Sequence, residues 1–167
     1  MSTPMEHIEQ LFCEKILLYQ EMAECLKSEQ KSLMETDVEL LWKFSEKKQA
    51  LVNKAEDIRV RILEILDAGS IEHGMDSASF SASRVIALLP DSFDKKLKKL
   101  EIALVNGKNL VQAIARQNKA YVVEYLEVID ELARTITAAQ DSGSGGYANH
   151  RYPEAKNKMN LFLHREV

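Results

Sequence analysis

Proline and glycine are scarce. The 167 residues include three prolines and six glycines, roughly half the usual share. Five of the glycines fall in two short windows, Gly69–Gly74 and Gly143–Gly146, and the prolines stand at Pro4, Pro90 and Pro153. The stretches 5–68 and 91–142 contain one glycine, Gly107, and no proline. A sheet protein needs turn residues every 8–12 positions or so, and these stretches lack them. Long apolar runs are also missing, which excludes membrane insertion through a helix. No basic-then-apolar leader opens the chain, so a cytoplasmic protein is expected.

Charge is not one-sided. Twenty-two basic and 26 acidic residues are mixed along the chain, for a net charge of −4. That leaves no basic footprint for nucleic acid. Cys13 and Cys25 are twelve positions apart on one expected helix, hence about 18 Å apart, too far for a disulfide. They read as small buried hydrophobes in a reducing compartment.

What is present is helical rhythm. Phe93, Leu97, Leu100, Leu104, Gly107, Val111, Ile114, Asn118, Tyr121, Tyr125, Val128 and Leu132 follow 4-3-4-3 spacing. That is a seam of more than five heptads, and Asp91 or Ser92 offers its N-cap. Leu41, Phe44, Lys48, Leu51, Ala55, Ile58, Ile62 and Ile65 form a second seam. Ile8, Leu11, Lys15, Leu18, Met22, Cys25 and Glu29 form a less pure third. The last two are out of phase. With Thr36 and Glu39 spaced as a capping box, and Asp37 as the other cap, the spacing predicts a break near 35–37. A continuous helix with a phase slip is the alternative.

The expected architecture is therefore all-α: an elongated antiparallel bundle, or coiled coil, of three long helices. The helices span about 4–35, 37–67 and 91–139, with a short one over 78–89 in a serine-rich flexible connection. Residues 1–139 form one domain in this reading, and 140–167 a flexible tail.

Catalytic patterns are missing. His7, His73, His150 and His164 are not at i,i+3 or i,i+4 from one another or from a cysteine, so no metal site is expected. There is no phosphate loop, dinucleotide fingerprint or nucleophile elbow. No long helix offers the mid-helix histidine of a phosphotransfer domain. Neither an enzyme nor a cofactor is expected.

The feature beyond the seams is a second apolar row on the last long helix, Val122, Ile129 and Ile136, beside Tyr121, Tyr125, Val128 and Leu132. With Ile114 and Asn118 they make a wide face. Such a face packs inside the bundle or stays open for an amphipathic partner helix, for which Tyr121 and Tyr125 are suited anchors. Asn118 interrupts the seam and can set register. Lys48 does likewise or snorkels outward. Gly107, on the seam itself, either admits a neighbouring helix or marks a bend.

The order Glu29-Gln-Lys-Ser-Leu33, Asp37-x-x-x-Leu41, Glu46-Lys-Lys-Gln-Ala-Leu51 and Arg59-Val-Arg61, then Gln117-Asn118 and a tyrosine-bearing tail, resembles the flagellar export chaperones of the FlgN type. The resemblance implies a bacterial cytoplasmic chaperone. It covers the amphipathic C-terminal helices of hook–filament junction proteins and delivers them to the type III export gate at the membrane. The cargo face is then Ile114, Asn118, Tyr121, Val122, Tyr125, Val128, Ile129, Leu132 and Ile136. Gate docking falls to Tyr147, which is followed by Ala148-Asn149-His150 without the family's glycine, or to Tyr152. The alternative is a structural coiled-coil adaptor that forms a homodimer through the same face.

Overall fold

A computed structural model of the chain describes residues 3–90 and 94–141. Its elements are α1 (Pro4–Glu35), α2 (Val38–Ala68), α3 (Ala82–Ala87) and α4 (Asp94–Asp141), with no strand among the described residues. The all-α expectation holds. The first helix starts on a capping box: Thr3 Oγ1 accepts from the Glu6 amide at 3.3 Å, and Glu6 Oε2 accepts from the Thr3 amide at 2.8 Å. Pro4 at the first helical position has no amide hydrogen to lose.

The break at 35–37 is a tight turn. Thr36 takes a left-handed conformation, φ 56°. Its amide donates to Leu33 O at 3.3 Å and the Asp37 amide to Ser32 O at 3.0 Å, the two bonds of a Schellman motif. Asp37, not Thr36, is the N-cap of α2, and accepts from the Leu40 amide at 3.0 Å. Turn and cap share adjacent residues, so α2 folds straight back along α1.

The helices bury unequal faces. Every residue of the α1 seam is buried, Lys15 and Glu29 included, and so is a second row of Phe12, Tyr19, Ala23 and Leu26. A helix buried along two rows lies in the middle of its neighbours. By contrast α2 buries a single stripe, Leu51, Ala55, Ile58, Ile62 and Leu66, and α4 contributes Leu97, Leu104, Val111 and Ile114. Glu29 and Lys48, the polar interruptions of two seams, form an ion pair with each other. Cys25 is buried, but Cys13 is exposed, against expectation, because it falls on the face of α1 opposite the two buried rows.

The serine-rich connection is tied down rather than slack. His73 Nε2 lies 3.0 Å from Asp67 Oδ1, and its Nδ1 accepts from the Met75 amide at 3.0 Å. Ser77 donates to Glu56, and Arg84 donates to the His73 carbonyl at 3.1 Å. Met75, Val85 and Leu89 are buried. The short helix covers 82–87 instead of 78–89. Asp76 Oδ1 accepts from the Ser79 amide at 2.7 Å and from its hydroxyl at 2.6 Å, a local turn that competes with helix. Ser81 then caps α3 by accepting from the Arg84 amide at 3.4 Å.

By their contacts the described residues fall into two units, one ending at Ala115 and one beginning at Arg116. The division lies inside α4. At 48 residues α4 outruns α1 and α2, which have 32 and 31, so neither is long enough to line it from end to end. The expected helix caps Asp91 and Ser92 lie outside the described residues, as does the tail.

Candidate functional site

The second unit is the remainder of α4. At about 100° per residue, Tyr121, Val122, Tyr125, Val128, Ile129, Leu132 and Ile136 fall within about 120° of arc. Tyr121 and Val122 are half-buried. From Tyr125 onward the face is bare: Tyr125, Val128, Ile129, Leu132 and Ile136 are between 45% and 59% exposed. Large apolar side chains held this open on consecutive turns make this arc the candidate site.

Ile114 and Asn118 behave differently. Ile114 belongs to the core of the first unit, and Asn118 is only 4% exposed. Neither offers surface to a partner, so the accessible part of the expected face begins at Tyr121. The reading in which the face packs inside the bundle holds at Ile114 and fails beyond Val122. Sequence reasoning left out Val123 and Leu126, which are also exposed. They lie off the central arc, Leu126 directly beside it, and a heptad count passes over them.

The rest of the surface is acidic. Glu124 and Glu131 border one side of the face, with Glu127 and Asp130 behind it. Arg134 is tied to Asp130 at 2.6 Å. Thr135 and Thr137 turn their hydroxyls onto the carbonyls of Glu131 and Ala133, at 2.9 and 2.8 Å. Arg134, Thr135 and Thr137 thus bond along the helix and leave the apolar arc clear.

Two further exposed features were not foreseen. Met34, Val38 and Trp42 project near the α1–α2 turn. A groove of about 360 Å³ runs between α1 and α2, with Leu17, Cys25 and Phe44 on its apolar side and Glu21, Glu24 and Lys47 among its polar lining. A lone tryptophan gives no periodic signal, which is why the seams did not reveal it. Tyr147 and Tyr152 lie outside the described residues. Among those described, no cluster of His, Cys, Asp and Glu suits a metal ion, and no helix is long and apolar enough to cross a membrane.

Fold and face together define an all-helical protein with an exposed apolar arc on its last helix. The chain belongs to the FlgN family, whose model, described as FlgN protein, matches residues 4–151. FlgN proteins are flagellar export chaperones, not enzymes. No curated protein and no solved structure matches the chain.

Proposed function

We propose that this chain is a cytoplasmic chaperone for hook–filament junction proteins, which binds their amphipathic C-terminal helices and carries them to the flagellar export gate. The bare arc from Tyr125 to Ile136 on α4 is the observation that carries the reading. Subunits that polymerise through amphipathic helices must have those helices covered before assembly. An exposed apolar arc covers them without ATP or bond chemistry, and a competing interaction at the gate releases them. Tyr121 and Val122 form the edge of the cargo face, while Tyr147 or Tyr152 provides the gate contact. The partner helix orders as it binds, and that cost keeps the affinity moderate.

Co-expression with a junction protein tests the proposal. A complex is expected that disappears when the junction protein's terminal helical segment is deleted; a complex indifferent to that deletion overturns the reading. The second reading rests on the same arc: two copies pair through it as a structural adaptor. Sedimentation over a concentration range separates them. A monomer that binds cargo supports the chaperone, and a tight dimer that does not bind cargo supports the adaptor.

A further inference from the structure

Among the described residues, Lys15 is a buried charge whose place the packing does not explain. It lies on the inner face of α1 and is 3% exposed. The buried carboxylates Glu29 and Glu9 have ammonium partners in Lys48 and Lys96, but no ion pair among the described residues includes Lys15. Its amine instead lies over the faces of two rings, Phe80 at 4.6 Å and Tyr19 at 5.9 Å, whose attraction for an ammonium is weaker than the cost of burying its charge. Phe80 belongs to the connection between α2 and α3, so that connection forms one wall over the amine.

The surroundings disfavour a charge there. Arg59 and Glu56 face Lys15 from α2, and Lys108 faces it from α4. Two cations against one carboxylate leave the place positive before Lys15 is counted. Glu56 is also engaged by Ser77 of the connection and by Arg59 at 3.2 Å. Arg59 Nε is itself buried with no hydrogen-bond partner among the described residues. The Tyr19 phenol, pushed up by its own burial, stays neutral through the physiological range. Burial first, then Arg59 and Lys108, bring Lys15 from 10.5 down to about 7.

We propose that residues 70–81 form a proton-controlled latch, which closes over Lys15 when the amine is neutral and lifts Phe80 away when the amine is protonated. Lifting lets the ammonium reach water, where its charge is stabilised. Remaining closed keeps Met75 and Phe80 against the core. The sign follows from proton counting. The lifted form holds its proton up to the ordinary lysine range, whereas the closed form loses it above about 7. In that interval the lifted form binds more protons, so closure strengthens as pH rises, by about tenfold per unit. Below about 7 both forms are protonated, and this group no longer changes the balance. The latch lies wholly in the first unit, and its existence does not depend on the chaperone reading.

Amide hydrogen exchange of the full chain between pH 6 and 9, corrected for intrinsic rates, reads the latch directly. Protection of the 70–81 amides is expected to rise about tenfold per pH unit above pH 7. Lys15→Met should make it high and flat, and Lys15→Arg low and flat. His73→Gln, which removes the other titratable anchor, should leave the slope above pH 7 in place. A flat wild type, or an unchanged slope in Lys15→Met, overturns the proposal; so does loss of the slope in His73→Gln. If Lys15→Met fails to fold, Phe80→Ala keeps the question open to measurement. The NMR titration midpoint of the Lys15 side chain should then climb from about 7 toward 10.5. A midpoint that stays where it is overturns the latch.

Discussion

Gly107 of α4 lies directly against Tyr19 of α1: a β-carbon at position 107 would stand 3.1 Å from both Cβ and Cδ2 of Tyr19. The missing side chain is what lets the two helices come this close, and Gly107 sits in unbroken helix. Of the two roles open to a glycine on the seam, close approach is the one it performs.

Gly107→Ala is therefore expected to destabilise. Alanine gains about 1 kcal/mol of helix propensity over glycine, whereas overpacking a core costs about 1–3 kcal/mol. The clash wins because the Cβ of Tyr19 is fixed to its backbone and no rotation of the ring removes it. Urea unfolding should show a net loss of about 1 kcal/mol, and Gly107→Val a larger one. A more stable alanine variant would mean that the helices part without cost.

Thr36 stands where helix ends favour glycine. Its φ of 56° strains a β-branched residue. Replacement by glycine should stabilise the hairpin by about 1 kcal/mol, read as a rise in the thermal midpoint, because the relief of strain exceeds the added freedom of the unfolded chain. Thr36→Ala should gain nothing comparable.

The Glu29–Lys48 pair joins two helices, and Glu29 is largely buried. The Lys27–Glu24 pair, at 2.9 Å, is exposed and lies within one helix. Double-mutant cycles should find about 1–2 kcal/mol of coupling in the first and under about 0.5 kcal/mol in the second. Added salt should erase the second before the first. Equal couplings would show that the buried position of Glu29 adds nothing.

Global stability should carry the imprint of Lys15. Its folded value, about 7, lies below the ordinary 10.5, so the unfolded chain binds more protons between these limits. Stability therefore rises with pH across that interval. Lys15→Met should remove that rise and raise the denaturation midpoint at pH 7, since a neutral side chain of similar length incurs no charge burial. Parallel pH profiles for the two proteins would refute the assignment.

The cargo face and the core separate by substitution. Tyr125→Asp and Ile129→Ser fall on exposed turns, so far-UV helicity and unfolding midpoint should move by no more than about 0.5 kcal/mol, while binding to a junction protein weakens. Val111→Asp, by contrast, buries a charge in the core and should cost about 3 kcal/mol or more. Collapse of helicity in Tyr125→Asp would place the face inside the fold.

Much of this was legible in the chain. Helix content, the turn at 36 and the buried rows follow from short-range rules: the 3.6-residue period, cap chemistry and the scarcity of breakers. Even the least pure seam, Ile8 to Glu29, is buried at every position. Glu29 and Lys48 looked like separate flaws because they belong to different helices, and sequence distance hides that they meet. The serine-rich connection looked slack because composition reports local propensity. Its anchors on Asp67 and Glu56 are contacts with another element.

Periodicity, then, determined which side of each helix is apolar, because that depends only on the turn angle between neighbours. The tertiary structure decided what each apolar side faces, because that depends on which helices are adjacent and where they stop. It placed α1 in the middle, buried Lys15 beneath Phe80, and left α4 bare from Tyr125 onward. One apolar row on one helix is thus core at Ile114 and an open surface at Leu132. The residues are alike; the neighbours are not.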